Sequence, residues 1–338
     1  MLNRSSKKCI SLSAYNENII RALLSMKIVE KAIPELKDEE VLVKIDAATC
    51  NPSDIAFLQG SYNIKKALPA VPGFEGSGIV KATGKKARHL LNQRVSCFTQ
   101  QDEDGTWSDY FVTKHLNCIP ISEDLSIEQA STFAINPFTA WGLFEKAKTR
   151  HCKTIIVNAA GSQVCNMLRS LAYANNIKVI NIVRKEKHTE RLKSEGSEFV
   201  LWSGDEKFQQ NLKSLAHKLS ATIAYDAIAG DQSGILLSAM PDNSELIVYG
   251  GLSGKAISGI EILDIIFHKK IISGFDLNSY INTKSKEAFT ILSKKIQDSF
   301  SHDIFRSNVQ AVYKIEDFVK GIRQYLGNMS DGKILIKP

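Results

Sequence analysis

The sequence lacks the features of a membrane or exported protein. No apolar run approaches the roughly 18 residues that a membrane-spanning helix needs. The opening segment MLNRSSKKCISLSAYNE contains no apolar core of the kind found in a secretory signal peptide. We therefore expect a cytoplasmic protein with no membrane partner.

Paired cysteine motifs are also absent. The chain has 6 cysteines and no CxxC pair. Scattered cysteines of this kind are typical of free thiols in a reducing compartment. They are Cys9, Cys50, Cys97, Cys118, Cys152 and Cys165.

A clustered basic segment is lacking as well. The net charge is +7, but the lysines and arginines are spread along the chain and interleaved with acids. A nucleic-acid-binding protein usually needs a basic face, so we expect no nucleic acid partner. A mildly positive surface would suit a phosphate-bearing cofactor or a thioester carrier, and an ordinary solvated surface is the alternative.

The middle of the chain does contain a regular alternation of strands and helices. Apolar, β-branched runs are separated by segments with helical spacing, such as Phe208, Leu212, Leu215 and Leu219. This alternation predicts an α/β fold with a six-stranded, doubly wound parallel sheet, the count of a Rossmann dinucleotide-binding domain. The six runs are TIIVNA (154–159), KVINIV (178–183), EFVLW (198–202), TIAYDAI (222–228), ELIVYG (245–250) and KIISGFDL (270–277).

The two ends of the chain have a different pattern. Short strand-like runs punctuated by Gly and Pro predict a β-rich domain near the amino terminus. The tail contains a strand, a short helix and a last strand that could return to it. With 338 residues, two domains are expected. We predict a β-rich domain from 1–125 and 299–338 and a nucleotide domain from 126–298.

Several segments together resemble the medium-chain dehydrogenase/reductase superfamily in its zinc-free branch. Within that branch the chain is most similar to the 2-enoyl thioester reductases and the quinone oxidoreductases. The resemblance implies that the β-rich domain is GroES-like and catalytic. The segments are EEVLVKI, NPSDIAFLQGSY (51–62), PAVPGFEGSGIV (69–80), GTWSDYFV (105–112), INPFTAW (135–141) and IVYGGLSG (247–254).

The resemblance also bears on metal binding. Zinc-dependent relatives have a Cys at the position of Asn51 and a His at the position of Phe74. Neither an amide nor a phenyl group is a useful zinc ligand. We therefore predict no metal, and we interpret the neighbouring Cys50 as a small buried residue.

The turn after the first nucleotide-domain strand is the expected site of the cofactor pyrophosphate. It reads NAAGSQVCNMLRSLA and retains Gly161, whereas the branch has Gly at the positions of Gln163 and Cys165. An ordinary strand-to-helix turn, with weak or lost cofactor binding, is the alternative. The predicted contacts here are Ala160, Gly161, Ser162, Gln163 and Val164.

The type of nicotinamide cofactor is indicated after the second strand. Arg184 and Lys187 follow it with no acid before Glu186. Basic groups there can pair with a 2′-phosphate, so NADPH is expected, and a solvated basic loop is the alternative. The resemblance implies further cofactor contacts at Asn51, Asn136, Thr139, Trp202, Gly250, Gly251 and Phe275.

Tyr62 is the predicted catalytic residue. In enoyl thioester reductases a tyrosine in a matching QGxY setting acts as proton donor or oxyanion stabiliser. A phenol is protonated at pH 7 and can donate to the negative charge that hydride addition builds on a thioester oxygen. Quinone reduction, and a binding or scaffold role without turnover, are the competing functions.

The last strand of the nucleotide domain predicts the oligomeric state. KIISGFDL would lie at the edge of the sheet, and proteins rarely leave such an edge uncovered. Relatives pair this edge across a two-fold axis, so a homodimer is expected.

Overall fold

The computed structural model describes residues 5–99 and 103–338. It separates into two compact units. The first is the chain up to Pro137 together with Ser293–Pro338, and the second is Phe138–Leu292. Two long helices cross these limits, Asn136–Thr149 and Lys286–Ser301.

The first unit is β-rich. Glu40–Thr49 is the strand at its centre, and it pairs antiparallel with Glu75–Thr83 and Tyr110–Lys114. The sheet order is Val309–Lys314, Lys333–Lys337, Glu40–Thr49, Glu75–Thr83, Arg94–Phe98 and Cys118–Pro120. A separate antiparallel pair is formed by Ser6–Leu12 and Met26–Ala32. The helices are Ile19–Leu24, Pro52–Leu58, Ile127–Ser131 and Phe318–Gly327, with 3-10 turns at Lys85–Leu90, His115–Asn117, Ile315–Asp317 and Met329–Asp331.

The tail returns to this unit. The strand Lys333–Lys337 pairs antiparallel with the end of Glu40–Thr49 and parallel with Val309–Lys314. Its apolar side chains Ile334 and Ile336 enter the same core as Val41 and Phe74. Residues from opposite ends of the chain therefore share one core.

Backbone geometry limits one position beside this core. Gly73 has φ +98°, and a Cβ there would lie 2.4 Å from Cδ1 of the buried Trp107. The Trp107 indole N–H donates to the carbonyl of Thr49 at 3.0 Å and holds the ring in place. Glycine is therefore required directly before Phe74.

The second unit confirms the predicted Rossmann fold. Its six strands are parallel, and all six predicted apolar runs are present in them. The spatial order corresponds to 3-2-1-4-5-6 along the chain. The strands in that order are Phe199–Trp202, Lys178–Val183, Thr154–Val157, Ile223–Asp226, Glu245–Val248 and Ile271–Gly274.

Helices cover this sheet. They are Gln163–Ala174, Lys187–Ser194, Phe208–Lys218, Asp231–Ala239, Ile262–Ile266 and Leu277–Asn282. Phe208 and Leu212 are buried against the strands, with Leu215 and Leu219 packed beside them, so the predicted helical face is confirmed. None of the helices in the described ranges is both long enough and apolar enough to span a bilayer.

Candidate active site

The first unit contains a buried cluster of charged and amide side chains at the start of the helix Pro52–Leu58. Asn51 Nδ2 donates to Glu75 Oε2 at 2.9 Å, and Asn51 Oδ1 accepts from the Lys333 ammonium. The Asn51 backbone N–H donates to Asp54 Oδ2 at 2.7 Å. All four residues are buried. Asn51 is thus engaged inside the first unit, and its predicted role toward a cofactor stays a prediction.

Burial changes the acidity of this cluster. It raises the pKa of the Asp54 carboxyl from 3.8 to about 7, although N–H groups of Asn51 and Phe74 donate to it and Lys333 lies nearby. Burial likewise raises the pKa of Glu75 and lowers that of Lys333. Low polarity disfavours each charged form, so a buried carboxyl can retain its proton near neutral pH.

Tyr62 lies beside this cluster through an aromatic contact. Its ring packs on that of Phe74 with centroids 5.4 Å apart and an angle of 36° between the planes. The Phe74 N–H donates to Asp54 Oδ1 at 3.0 Å, and the Phe74 ring also meets Phe57 edge-on at 5.5 Å. The carboxyl of Asp54 therefore fixes the backbone of the residue against which Tyr62 packs.

The loop that follows Tyr62 is held at Lys66. The Tyr15 hydroxyl accepts from the Lys66 N–H at 2.8 Å and donates to the Lys66 carbonyl at 2.9 Å. The Lys66 ammonium donates to the Glu103 carbonyl and lies 5.8 Å from the Phe74 ring centroid. Burial lowers the pKa of this amine to about 8. The loop therefore has a second fixed point four residues after Tyr62.

Asn136 begins the helix that leaves the first unit. The backbone N–H of the preceding Ile135 donates to Glu75 Oε1 at 2.8 Å, which joins this segment to the buried cluster. Asn136 is buried, and its Nδ2 has no hydrogen-bond partner within residues 5–99 and 103–338. An amide donor in this condition is suited to an acceptor supplied by a ligand. Thr139 is also buried and belongs to the second unit.

In the second unit, the predicted pyrophosphate turn joins the strand Thr154–Val157 to a helix of 12 residues. Ser162 is the N-cap, and its Oγ accepts from the Cys165 N–H at 3.3 Å. Ala159 adopts φ +47°, and Arg169 donates to the Ala160 carbonyl at 3.1 Å. The turn is thus fixed by side chains of its own helix.

The residues that replace the two glycines point into the protein. Cys165 is buried, and its thiol donates to the Asn158 carbonyl at 3.4 Å and lies 3.4 Å from the Tyr249 hydroxyl. Gln163 is 4% exposed. The Cys165 side chain is turned away from the exposed side of the turn, so it leaves the helix N-terminus able to receive an anion. The residues present therefore fit a dinucleotide.

Other predicted contacts of the second unit lie at the carboxyl ends of the strands. Arg184 directly follows Lys178–Val183, is exposed, and accepts through its carbonyl from Trp202 Nε1 at 3.1 Å. Lys187 is exposed at the start of the next helix. Because neighbouring parallel strands end at the same edge, Arg184 and Trp202 share the edge of the pyrophosphate turn.

Two glycines and an aromatic residue complete this edge. A Cβ on Gly250 would lie 2.8 Å from the Ala227 carbonyl oxygen, whereas at Gly251 nothing lies within 4 Å. Close packing on the Ala227 backbone therefore leaves no room for a side chain at Gly250. Phe275 follows the last strand, and a Cβ on Gly142 would lie 2.5 Å from its ring, so this ring packs closely on the helix backbone.

Comparisons with known proteins agree with this architecture. Residues 37–123 match the alcohol dehydrogenase GroES-like domain. A mitochondrial enoyl-[acyl-carrier-protein] reductase of Dictyostelium discoideum is 29% identical over 256 residues, 74% of this chain and 73% of that protein. The enzyme of that name in Rattus norvegicus is 28% identical over 301 residues, 85% and 80% of the two chains. A solved structure from Mesorhizobium loti, a candidate NADPH:quinone reductase, has TM-score 0.93 and 28% identity over 100% of both chains.

In sequence and fold the chain is similar to members of the medium-chain dehydrogenase/reductase superfamily. In superfamily terms, the first unit carries the GroES-like domain and the second is the Rossmann domain, as predicted. The described residues include no group of three or more His, Cys, Asp or Glu side chains that could hold a metal ion. At the positions of the superfamily's zinc ligands, Asn51 is hydrogen-bonded to Lys333 and Phe74 packs against Tyr62.

Sequence reasoning missed several residues that build this site. Lys333 carried no local signal, because it is 282 positions from Asn51 and begins an ordinary apolar strand. The hydrogen bonds between the Tyr15 hydroxyl and the Lys66 backbone are also non-local. Arg169 could have been noticed as an arginine amid the apolar positions of an amphipathic helix.

Proposed function

We propose that the protein is an NADPH-dependent reductase of activated double bonds, acting on 2-enoyl thioesters. The observation that carries this proposal is the similarity to enoyl-[acyl-carrier-protein] reductases over most of the chain, with Tyr62 retained in its QGxY setting. NADPH, when bound, supplies the hydride. The acceptor is a carbon–carbon double bond conjugated to a thioester carbonyl.

Tyr62 has the central chemical role in this proposal. Hydride addition at the β-carbon places negative charge on the thioester oxygen, and the Tyr62 phenol donates a hydrogen bond to that charge. The Tyr62 ring packs on Phe74, and the hydrogen bonds between Tyr15 and Lys66 restrain the loop that follows Tyr62. A protonated donor held in advance costs no reorganisation when the charge develops.

The predicted nucleotide contacts lie at the carboxyl edge of the second unit's sheet. There the Ser162-capped helix would receive the pyrophosphate and Arg184 would pair with the 2′-phosphate. In the first unit, the buried Asn136 Nδ2 is suited to an acceptor supplied by a ligand. The fit is supported by the inward orientation of Cys165.

The test combines cofactor binding with turnover. NADPH and NADH are titrated by nicotinamide fluorescence, and NADPH oxidation is followed with crotonyl-CoA. We expect selective NADPH binding, and we expect Tyr62→Phe to lower kcat about 100-fold with an unchanged Kd for NADPH. Tyr173→Phe is the matched control, since Tyr173 lies on the second unit's surface outside every predicted contact. An unchanged kcat in Tyr62→Phe would contradict its role.

Quinone reduction is the second candidate. It is favoured by the likeness to the Mesorhizobium loti structure over the whole of both chains. The same assay with 1,4-benzoquinone in place of crotonyl-CoA separates the two. Turnover of benzoquinone alone, with no effect of Tyr62→Phe, would favour this function.

A scaffold role without turnover is the third candidate, motivated by Gln163 and Cys165 in place of glycines. Failure of both nucleotides to bind in the titration would support it. For location, the cytoplasm remains our proposal. The relatives named above are mitochondrial, so fractionation of cells that express the full-length protein is the test.

We also propose a homodimer formed through the second unit. The strand Ile271–Gly274 is the last in its sheet, and Ile271 is 49% exposed. The preceding segment exposes Ile262 and Phe267, each by 70%. A second copy that pairs with this edge would cover both the backbone groups and the apolar side chains. Light scattering after size exclusion that gives the monomer mass would contradict this.

A further inference from the structure

The segments that carry Asn51, Tyr62 and Asn136 are linked, through hydrogen bonds and one ring contact, to a buried ammonium. Lys333 is 3% exposed, and its Nζ donates to Asn51 Oδ1 and lies 5.8 Å from the Tyr325 ring centroid. Its backbone N–H donates to the Asn308 carbonyl at 2.7 Å, so the start of its strand is fixed. The backbone that carries the Lys333 ammonium is therefore fixed beside the cluster of Asn51, Asp54 and Glu75.

From Asn51 two chains of hydrogen bonds lead outward. The first runs through the amide nitrogen to Glu75, at 2.9 Å, and from the other Glu75 oxygen to the N–H of Ile135, at 2.8 Å. Ile135 directly precedes Asn136, whose amide is the candidate ligand donor. The position of the Asn136 backbone thus depends on where Glu75 is held.

The second chain runs through the backbone. The Asn51 N–H donates to one Asp54 oxygen at 2.7 Å, and the other Asp54 oxygen accepts from the Phe74 N–H at 3.0 Å. Phe74 carries the ring against which Tyr62 packs. The Tyr62 contact surface is therefore linked, through the backbone N–H of Asn51, to the same residue whose side chain Lys333 holds.

The charges give the reason for a lysine here. Asp54 and Glu75 are both fully buried, and Lys333 is hydrogen-bonded to Asn51, which donates to Glu75 through its side chain and to Asp54 through its backbone N–H. A buried carboxylate without a compensating charge is strongly unfavourable, so loss of the ammonium would force protonation or displacement of these groups. Asn51 also has two possible amide orientations, and an ammonium, which can only donate, selects the one with Oδ1 toward Lys333.

We propose that Lys333 is a positioning residue of the active site, which holds Asn51 and through this residue keeps Asn136 and the Tyr62-packing face of Phe74 in place. Its bearing on catalysis rests on the proposed function, whereas its bearing on the hydrogen-bond network does not. Lys333 touches neither substrate nor cofactor in this role.

The test uses the full-length protein and two substitutions. Lys333→Met keeps the length of the side chain and removes the charge, and Lys333→Arg keeps the charge. Lys7→Met is the matched control, because Lys7 is equally buried in the same unit and pairs with Asp104 at 3.0 Å rather than with Asn51. Hydrogen exchange of the backbone amides, NADPH binding and turnover of crotonyl-CoA are measured for each.

We expect Lys333→Met to speed exchange of the amides of Asn51, Phe74 and Ile135 at least tenfold. We expect kcat to fall at least tenfold, with a smaller rise in Kd for NADPH. Lys333→Arg should restore part of both properties, and Lys7→Met should change neither.

Two results would overturn the proposal. One is unchanged exchange at the three amides in a folded Lys333→Met protein. The other is exchange that is faster by the same factor throughout the first unit and is equally fast in Lys7→Met. Such a result would indicate general destabilisation rather than a specific role of Lys333. If Lys333→Met does not fold, Lys333→Arg and Lys333→Gln are compared, and equal exchange in these two would refute the need for a charge. Should the wild type reduce no enoyl thioester, the proposed function fails while the exchange data still decide the role of Lys333.

Discussion

Replacement of Asp54 by asparagine should change how the stability of the protein depends on pH. The pKa of Asp54 is about 7 in the folded protein, against 3.8 for an exposed aspartate. The folded state therefore binds more protons than the unfolded state between these values. Because of this linkage, the stabilisation from Asp54 is complete below about pH 4 and is lost as the pH rises through 7.

The magnitude follows from the size of the shift. A difference of about three pKa units corresponds to an upper bound of about 4 kcal/mol, and the steepest possible slope is about 1.4 kcal/mol per pH unit. Asparagine has nearly the same shape and does not titrate. An amide nitrogen only donates, so the asparagine oxygen can accept from one of the two N–H groups, of Asn51 or Phe74, and the other loses its acceptor. The lost hydrogen bond costs about 1–3 kcal/mol, independent of pH.

The assay is urea unfolding of the wild type and Asp54→Asn at half-unit steps from pH 5 to 7. We expect the free energy of unfolding of the wild type, relative to that of Asp54→Asn, to fall by about 1 kcal/mol per pH unit as the pH rises. Asp104→Asn is the control: burial opposes ionisation of Asp104, but Lys7 and Lys31 outweigh this and lower its pKa. The contribution of Asp104 to the free energy of unfolding is lost only on acidification through that lowered pKa. The difference in free energy of unfolding between the wild type and Asp104→Asn should therefore stay constant from pH 5 to 7. Parallel curves for Asp54→Asn would refute the reasoning.

Three further predictions concern the core, the cofactor and the sheet edge. Gly73→Ala should lower the free energy of unfolding by at least about 2 kcal/mol in urea titration, because the Cβ meets Trp107 at positive φ, and a smaller loss would contradict the contact. Arg184→Ala should weaken NADPH binding about tenfold in fluorescence titration and leave NADH unaffected, whereas equal loss for both would exclude a phosphate contact. Phe267→Asp should shift the mass from dimer to monomer in light scattering, while Leu116→Asp, at a position 68% exposed in the first unit, should not.

Much of the fold could be predicted because its signals are local. The β-branched runs in the second unit, such as 154–159 and 178–183, each became a strand, and their spacing left room for one crossover helix between most neighbours. A parallel sheet then follows from connection lengths. Arg184 was placed at the correct edge for the same reason, because it directly follows a strand.

The site was less accessible from the sequence. The orientation of Cys165 depends on the rotation of its helix, which is set by packing, and so the sequence alone left open whether it blocks the turn. The link from Lys333 to Asn51 joins opposite ends of the chain, and no periodic pattern predicts such a pair. The motifs located Tyr62, whereas only the structure showed what supports it.

The return of the tail to the first sheet has a consequence for synthesis on the ribosome. The strand Lys333–Lys337 fills a place between Glu40–Thr49 and Val309–Lys314, so the first unit cannot close its core until this strand has emerged. The second unit, Phe138–Leu292, is contiguous and can fold while the rest is still being made. Each nascent chain thus spends a period with a folded second unit and an incomplete sheet in the first unit. Chaperones would be most needed during this interval.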